Sequence, residues 1–188
     1  MNQPDITARI KKGDPAVFTE MVEQYQAMVY NTVLNIVQNE EDAEDITQEV
    51  FIDVYEGLNE FRQEAQISTW IYRIAINNAL DFEKRRKRHK NGGLLKRIFA
   101  VKEEEEPANF DHPGAQLDNK EKSAMLFRAL KKLPPNQQVA FTLHKMEGLP
   151  YKEVADIMET SLQAVESLMG RAKAGLKKIL EQYYQSSE

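Results

Sequence analysis

Apolar residues recur along most of this chain at steps of three and four, which is the spacing of one face of an α-helix. The first long run of such positions comprises Phe18, Met21, Val22, Tyr25, Met28, Val29, Thr32, Val33 and Ile36. Asp14 and Pro15 precede this run, an acid suited to an N-cap and a proline suited to the first helical position. The pattern therefore predicts an amphipathic helix of about five turns, followed by a polar break at residues 39–42.

The next predicted helix, at residues 43–59, has two contrasting faces. Its core face repeats every four residues: Ile46, Val50, Val54 and Leu58. The opposite face carries Asp45, Gln48, Glu49, Ile52 and Glu56. Ile52 is either one of the isolated apolar side chains that most protein surfaces expose, or the centre of a docking patch with a polar rim. The residues alone leave both interpretations open.

A third predicted helix, at residues 69–90, ends in a run of basic residues at 84–90. Its predicted inward face comprises Ile71, Ile74, Ala75, Asn78 and Phe82. A neighbouring line comprises Arg73, Asn77, Lys84 and Arg88. Amide and guanidinium donors on one line with a basic end suit a phosphate backbone with accessible bases. The same pattern also fits a core helix with a solvated polar face and a basic tail, so both interpretations stay open.

A polar loop is predicted at residues 61–68, between the second and third helices, because helical periodicity is lost there. Ser68 or Thr69 can cap the helix that follows. Trp70, the one tryptophan in the chain, is by default a core residue that anchors the loop.

Helical periodicity breaks again between residues 91 and 117, where a glycine pair and four consecutive glutamates occur. Segments rich in glycine and in like charges bury too little apolar surface to order themselves. The composition predicts a flexible acidic linker at 91–117 that joins two small helical domains, at residues 1–90 and 118–188.

The second domain ends in a predicted helix-turn-helix, which is a short helix, a tight turn and a longer helix. The short helix is expected at residues 150–158, the turn at 159–161 and the longer helix at 162–184, with Ser161 as its cap. The outward positions of the longer helix are Gln163, Glu166, Ser167, Gly170, Arg171 and Ala174, with Lys173, Lys177 and Lys178 further along. This arrangement is typical of proteins that place the second helix in the major groove of DNA.

Two stretches of the chain are basic, although its overall composition is acidic. There are 25 lysine and arginine residues against 30 aspartate and glutamate residues, a net charge of −5. An even spread of charge would argue against nucleic acid, but the bases are concentrated at residues 84–97 and 171–178. Sparse glycine and proline, with abundant helix formers, favour an all-α protein.

The residue patterns that catalysis or metal binding needs are missing from this sequence. There is no cysteine, and the three histidines are scattered without a partner at ligand spacing. No paired acids fall in a predicted cleft, so we expect no catalytic residue, metal, cofactor or small-molecule substrate, and no enzyme. No signal peptide or long apolar run is found, which predicts a cytoplasmic protein.

Several motifs together resemble the extracytoplasmic-function (ECF) sigma factors of bacterial RNA polymerase. DAEDITQEVF at residues 42–51 and WIYRIAINN at residues 70–78 resemble region 2 of that family. The similarity to region 4 lies in Leu133-Pro134, in GLPYKEVA at residues 148–155 and in RAK at residues 171–173. The resemblance implies a region 2 bundle in the first domain and a helix-turn-helix region 4 in the second. Together they would direct core polymerase to promoters and help to melt the minus-ten region.

The resemblance also implies roles for particular residues. The polymerase clamp helices would contact Asp45, Gln48, Glu49 and Ile52. The minus-ten element would contact Arg62, Ser68, Trp70, Arg73, Asn77, Lys84, Arg85 and Arg88. The minus-thirty-five element would contact Gln163, Glu166, Ser167, Gly170, Arg171 and Lys173. The implied partners are core RNA polymerase, through its clamp helices and flap, promoter DNA and an anti-sigma factor.

The alternative function is a stand-alone helix-turn-helix regulator that binds duplex DNA without polymerase. Such a regulator has no use for the acidic patch around Ile52, which is the feature that separates the two functions. Within region 4, Glu166 and Leu168 stand where the family often has basic residues, and Pro150 replaces the usual Ser or Thr cap. These departures leave the base preference of the minus-thirty-five contact open.

Overall fold

The computed structural model describes residues 14–61, 65–91 and 120–185, together with residues 8, 9 and 12. Regular structure within these residues is entirely helical, which confirms the all-α prediction. The α-helices are α1 Ala16–Val37, α2 Glu40–Gly57, α3 Ile67–Asn91, α4 Lys120–Lys131, α5 Pro135–Phe141, α6 Tyr151–Ile157 and α7 Leu162–Gln185. A 3₁₀ turn at Leu58–Glu60 follows α2, and a π-helical turn at Thr142–Met146 continues α5.

Helices α1, α2 and α3 pack against one another as a bundle, which forms the first domain. The core face predicted for α2 is buried, with Ile46, Val50 and Val54 at 1% exposure or less. They belong to one apolar core with Val33 of α1 and Ile71 of α3. The four-residue repeat in the sequence therefore marks the buried face of α2 correctly.

The start of α2 differs from the sequence prediction of a polar break at residues 39–42. Asn39 is the N-cap, and its side chain accepts a hydrogen bond from the Asp42 N–H (2.9 Å). Glu40, Glu41 and Asp42 form the first turn, where the helix dipole favours acids. The charged residues that the sequence analysis interpreted as a break therefore form the first turn of α2.

Helix α3 is longer than predicted, and its buried face is different. It begins at Ile67, ahead of the two predicted cap residues, which lie inside the helix. The buried positions are Ile67, Ile71, Tyr72, Ala75, Ile76, Ala79 and Glu83. Asn78, which the spacing placed inward, is only half-buried and donates from Nδ2 to Asp53 Oδ2 (2.7 Å). The prediction missed Tyr72, Ile76 and Ala79. It also missed Glu83, which pairs with Arg86 of the same helix and with Lys131 of another.

Helices α4 to α7 form the second domain, and α6 and α7 are the predicted helix-turn-helix. Ser161 caps α7, as predicted, since its Oγ accepts a hydrogen bond from the Ala164 N–H (3.1 Å). Gly175 lets α7 pass close to the chain after α4, because a Cβ at this position would lie 2.9 Å from Leu133 Cδ2. Only a glycine fits that approach without a shift of the leucine side chain.

The two helical domains are confirmed, but they do not pack independently in this structure. The core that holds Ile36 and Ile76 of the first domain also holds Val139, Leu143 and Met169 of the second. From residue 92 onward, the linker predicted at 91–117 lies outside the described residues. Its flexibility and the domain boundaries at 90 and 118 stay predictions.

The polar part of the interface between the domains centres on Lys131 of α4. Its Nζ donates to the carbonyls of Ile36 (3.0 Å) and Val37 (2.8 Å) at the end of α1, and to Glu83 Oε1 of α3 (2.8 Å). An ammonium group has three N–H donors, so all three are used. Burial lowers the pKa of Lys131 to about 8, although the bond to Glu83 acts in the opposite direction. A half-buried cation thus ties the second domain to two helices of the first.

Candidate docking and promoter interfaces

An apolar groove runs along the outer side of α1 and α2, and we call it the α1–α2 groove. It encloses about 670 Å³ and is lined by Phe18, Val22, Gln26, Thr47, Gln48, Phe51, Ile52, Tyr55 and Glu56. Ile52 is 57% exposed and Tyr55 is 62% exposed. The Tyr55 ring packs edge-on against the Phe18 ring, with centroids 5.1 Å apart. Ile52 is therefore part of a continuous apolar surface.

The predicted polymerase-docking residues are all exposed, but they do not all line this groove. Gln48 and Ile52 do, whereas Asp45 and Glu49 lie outside its lining. Glu49 instead faces the basic end of α3, with its Oε2 4.0 Å from an Arg85 amino nitrogen. The predicted patch is thus an apolar groove bordered by acids on one side.

The sequence reasoning missed Phe18, Val22 and Tyr55 as surface residues. The first two belong to the apolar run of α1 and were indistinguishable there from core positions. Tyr55 follows Ile52 by three residues, so the two share one face of α2. That spacing was the available signal for an apolar surface larger than a single residue.

Arg73 of α3 does not face open solvent, although the resemblance assigns it to DNA. Its guanidinium donates to the Asp156 carbonyl (2.7 Å) and pairs with Glu159 Oε1 (2.9 Å), both in the second domain. Its Nε is buried and has no hydrogen-bond partner among the described residues. Arg73 is therefore held by the helix-turn-helix.

Asn77 lies one turn further along α3, and it is exposed. Together with Arg73 it lines a cavity of about 320 Å³ between the domains, here called the interdomain cavity. The opposite wall includes Met158, Glu159 and Thr160 of the helix-turn-helix. The structure thus brings two of the eight predicted minus-ten residues together, and places them against the helix-turn-helix.

Trp70, at the start of α3, is half-buried and packs against Phe61, with ring centroids 5.1 Å apart. It also closes over Gly57, where a Cβ would lie 3.0 Å from Trp70 Cζ2. This position agrees with the predicted anchoring of the loop. Ser68 is half-buried in the same turn of helix, and Arg62 lies outside the described residues. Contact of these three residues with DNA stays a prediction.

The basic end of α3 is exposed at Lys84, Arg85 and Arg88, as predicted. Lys84 Nζ bonds Asp81 Oδ1 (2.8 Å), which lowers the pKa of the Asp81 carboxyl. Such exposed ion pairs contribute about 0–1 kcal/mol, so they do not prevent these cations from contacting phosphate.

The predicted reading face of α7 is open to solvent along its length. Its exposed members are Gln163, Glu166, Ser167, Gly170, Arg171 and Lys173. The Arg171 side chain folds back onto its own helix, donating to the Ser167 carbonyl (3.3 Å) and to Ser167 Oγ (3.1 Å). A Cβ at Gly170 would meet nothing within 4 Å, so packing inside the chain does not explain this glycine. The sequence reasoning also missed Leu162, which is 50% exposed at the start of the helix.

No group of three or more potential metal ligands occurs within the ranges that the structure describes. None of the helices in these ranges combines the length and the apolar character that crossing a bilayer requires.

Comparison with known proteins identifies both domains. Residues 21–89 match the family Sigma-70 region 2, and residues 123–176 match Sigma-70, region 4. The chain is 31% identical over 173 residues to the ECF RNA polymerase sigma-E factor of Escherichia coli K12, covering 91% of this chain and 90% of that protein. The chain belongs to the ECF sigma factor family. This sigma factor is also 28% identical over 183 residues to the RNA polymerase sigma-H factor of Pseudomonas aeruginosa, covering 94% and 92% of the two chains.

Solved structures with the same fold include CnrH, in complex with the cytosolic domain of CnrY. The TM-score is 0.68 at 19% identity, covering 96% of this chain and 97% of that one. The sigma factor RpoE of Bartonella quintana, in complex with the anti-sigma factor NepR, matches with a TM-score of 0.65 at 18% identity, covering 87% and 96%. With region 2 present, this sigma factor acts in promoter-directed transcription initiation, and a stand-alone regulator is not favoured.

Proposed function

We propose that this sigma factor docks on the clamp helices of core RNA polymerase through the α1–α2 groove. The observation that carries the proposal is the exposure of Ile52 and Tyr55 side by side. They are two of the three large apolar side chains that the described surface exposes. Exposed apolar side chains that cluster beside polar residues mark protein interfaces, with most of the binding energy at the apolar centre.

The charges around the groove define the kind of surface that fits it. Gln48 and Glu56 belong to the groove itself, and Asp45 and Glu49 are exposed on the same helix. A partner that presents apolar side chains flanked by lysine or arginine is complementary to this arrangement. We assign that role to the clamp helices.

Promoter contacts are assigned to α3 and α7. On α3, Arg73 and Asn77 would bind an unstacked base of the minus-ten element, and Lys84, Arg85 and Arg88 would contact phosphates. On α7, Arg171 would read a base edge in the major groove of the minus-thirty-five element, where Gly170 leaves room for the duplex. Region 4 would also meet the polymerase flap.

The proposed role is recruitment, without catalysis by the chain itself. We place it in the cytoplasm, because its family acts with RNA polymerase. The RpoE structure contains an anti-sigma factor, so we also propose that a partner of that class binds this chain.

The experiment that tests polymerase docking compares Ile52→Asp with Leu162→Asp. Both side chains are exposed and apolar, but Leu162 lies on α7 rather than in the groove. We expect Ile52→Asp to weaken binding to core polymerase by about 2 kcal/mol, roughly 30-fold, because it places a charge at the interface centre. Leu162→Asp should weaken binding by less, because a charge there can disturb only the proposed contact of region 4 with the flap. Equal losses for the two variants, or none for Ile52→Asp, would exclude the α1–α2 groove as the docking site.

A further inference from the structure

Leu162, the first residue of α7, is an apolar side chain that is 50% exposed. The other two large apolar side chains exposed on the described surface, Ile52 and Tyr55, both line the α1–α2 groove. Leu162 belongs to the second domain and lies outside that lining, so a partner in the groove does not account for it. Single exposed leucines are ordinary on protein surfaces. The position of Leu162 in the helix-turn-helix therefore decides whether it has a role.

That position is the end of α7 which, in helix-turn-helix proteins, places its residues against base edges in the major groove. The backbone at this end is held by the Ser161 cap, whose Oγ accepts a hydrogen bond from the Ala164 N–H (3.1 Å). Gln163 and Glu166 are exposed at the same end. Leu162 and Glu166 are four residues apart and share one side of the helix. A duplex that docks on α7 therefore meets Leu162 together with these polar side chains.

The chemistry around Leu162 indicates which base it fits. An ionised Glu166 only accepts hydrogen bonds, so it cannot donate to a base. Arg171 already donates to the Ser167 carbonyl (3.3 Å) and to Ser167 Oγ (3.1 Å), and it must break these bonds to read a base. An exposed leucine has no hydrogen bond to break. Thymine is the base that presents a methyl group in the major groove, where apolar side chains contact it.

We propose that Leu162 is a base-reading residue that contacts the methyl group of a thymine in the minus-thirty-five element. It adds an apolar contact to the hydrogen bonds assigned to Arg171. The two residues are nine positions apart, which is about 14 Å along a helix. Base pairs are spaced by about 3.4 Å, so the thymine should lie within about four base pairs of the base that Arg171 reads. This inference rests on the proposed contact of α7 with that element.

The test removes the methyl group from the DNA and the leucine from the protein, separately and together. The probe is the upstream element that holoenzyme with the unmodified chain selects from a randomised library. Each thymine of this element is replaced in turn by deoxyuridine, which lacks only the methyl group. All affinities are measured at one salt concentration, since phosphate contacts make binding depend on salt. At one thymine, the replacement should weaken binding about four-fold, the value of one buried methyl group.

The protein variants show whether Leu162 recognises that methyl group. Holoenzyme with Leu162→Ala should bind the thymine and deoxyuridine probes within about 1.5-fold of each other. Leu162→Met keeps an apolar side chain of similar size and should keep the four-fold difference. Both variants should fold normally, because the position is exposed. The matched control is Glu181→Ala, at an exposed position far along α7, which should also keep the difference.

A second replacement separates the methyl group from the shape of the DNA. A cytosine at the sensitive position should be bound about four-fold more tightly when it carries a 5-methyl group, and Leu162→Ala should abolish this gain. A selected element without thymine within four base pairs of the Arg171 contact would overturn the proposal. A deoxyuridine effect of equal size in Leu162→Ala and the unmodified chain would also overturn it.

Arg171→Ala distinguishes failure of this inference from failure of the proposed function. If Arg171→Ala weakens binding to the selected element while Leu162→Ala leaves the deoxyuridine effect unchanged, α7 reads the element without Leu162. If neither variant alters binding to the element, the proposed contact of α7 with the minus-thirty-five DNA is itself wrong. If Leu162→Ala weakens binding to core polymerase and leaves the deoxyuridine effect unchanged, Leu162 contacts protein and the proposal is rejected.

Discussion

The α1–α2 groove and the Arg73 side of α3 are both candidate interfaces of the first domain, yet they differ in their contact with the second domain. The groove leaves Ile52 and Tyr55 more than half exposed. Arg73 is instead bound by the second domain, and Asn77 opens into the interdomain cavity. The proposed docking surface is therefore open to a partner, whereas one member of the proposed minus-ten surface, Arg73, is engaged by the second domain.

The largest expected effect concerns Lys131, the polar centre of the contact between the domains. Lys131→Ala should lower the free energy of unfolding by about 1.5–3 kcal/mol, because it removes hydrogen bonds to Glu83 and to the end of α1, although Arg86 still pairs with Glu83. Denaturant titration measures this change. The control is Lys132→Ala, whose exposed Nζ lies 4.7 Å from the Tyr183 ring centroid and should matter by about 0.5–1 kcal/mol. Similar losses in the two variants would mean that Lys131 does not join the domains.

Lys131 also predicts that the free energy of unfolding depends on pH, whereas we expect no such dependence from the α1–α2 groove. Burial lowers the pKa of Lys131 from 10.5 to about 8, so the folded chain releases this proton before the unfolded chain does. The free energy of unfolding should therefore increase as the pH rises from about 8 to 10.5, by at most about 1.4 kcal/mol per pH unit for this one lysine. Measurements should stop near pH 10, since burial raises the pKa of Tyr72 and stability falls once unfolded tyrosines ionise. We expect Lys131→Met to lack the rise, and an equal rise in that variant would assign it to other groups.

Asn77→Ala tests an exposed member of the proposed minus-ten surface. The side chain is exposed, so stability should change by no more than about 0.5 kcal/mol. Loss of a contact to an unstacked base should reduce promoter opening by about 1 kcal/mol, roughly five-fold, without reducing the first binding of holoenzyme to duplex. Permanganate footprinting of the melted region separates these two steps. Normal opening with weaker initial binding would place Asn77 on duplex DNA instead.

The smallest change in affinity is expected for Glu166 on α7, whose reading face is open. Glu166→Ala should change base preference at one or two positions of the minus-thirty-five element, while total affinity changes by no more than about 0.5 kcal/mol. Arg171→Ala should lower binding by about 1–3 kcal/mol if it reads a base. Selection from a randomised element with each holoenzyme measures both. Identical preferred sequences for Glu166→Ala and the unmodified chain would leave Glu166 as a solvated charge.

The parts of the fold that sequence predicted well are those that depend on local spacing. The four-residue repeat in α2 and the cap at Ser161 each involve residues within one helix. The buried face of α3 was harder, because it includes Glu83, which is stabilised by Arg86 one turn along the helix and by Lys131, 48 residues away. A charge on an inward position contradicts the apolar pattern until its partner is known.

The candidate sites also divide into those that local spacing predicts and those that depend on contacts between distant residues. The exposed line of α7 and the polar face of α2 could be read from helical spacing, and their exposure agrees with it. The contact of Arg73 with the second domain could not, since Arg73 and Asp156 are 83 residues apart and nothing in either segment indicates the other. The extent of the α1–α2 groove also depends on how α1 is placed beside α2, which brings Phe18 to Tyr55.

The central claim is that polymerase binding at the groove accompanies separation of the domains. The most direct measurement is energy transfer between dyes at cysteines in place of Glu41 and Lys152, before and after core polymerase is added without DNA. The free chain should show high transfer that falls on addition of core polymerase, and Ile52→Asp should shift this fall to about 30-fold higher polymerase concentration. Transfer that is low in the free chain, or high in the polymerase-bound chain, would contradict the account.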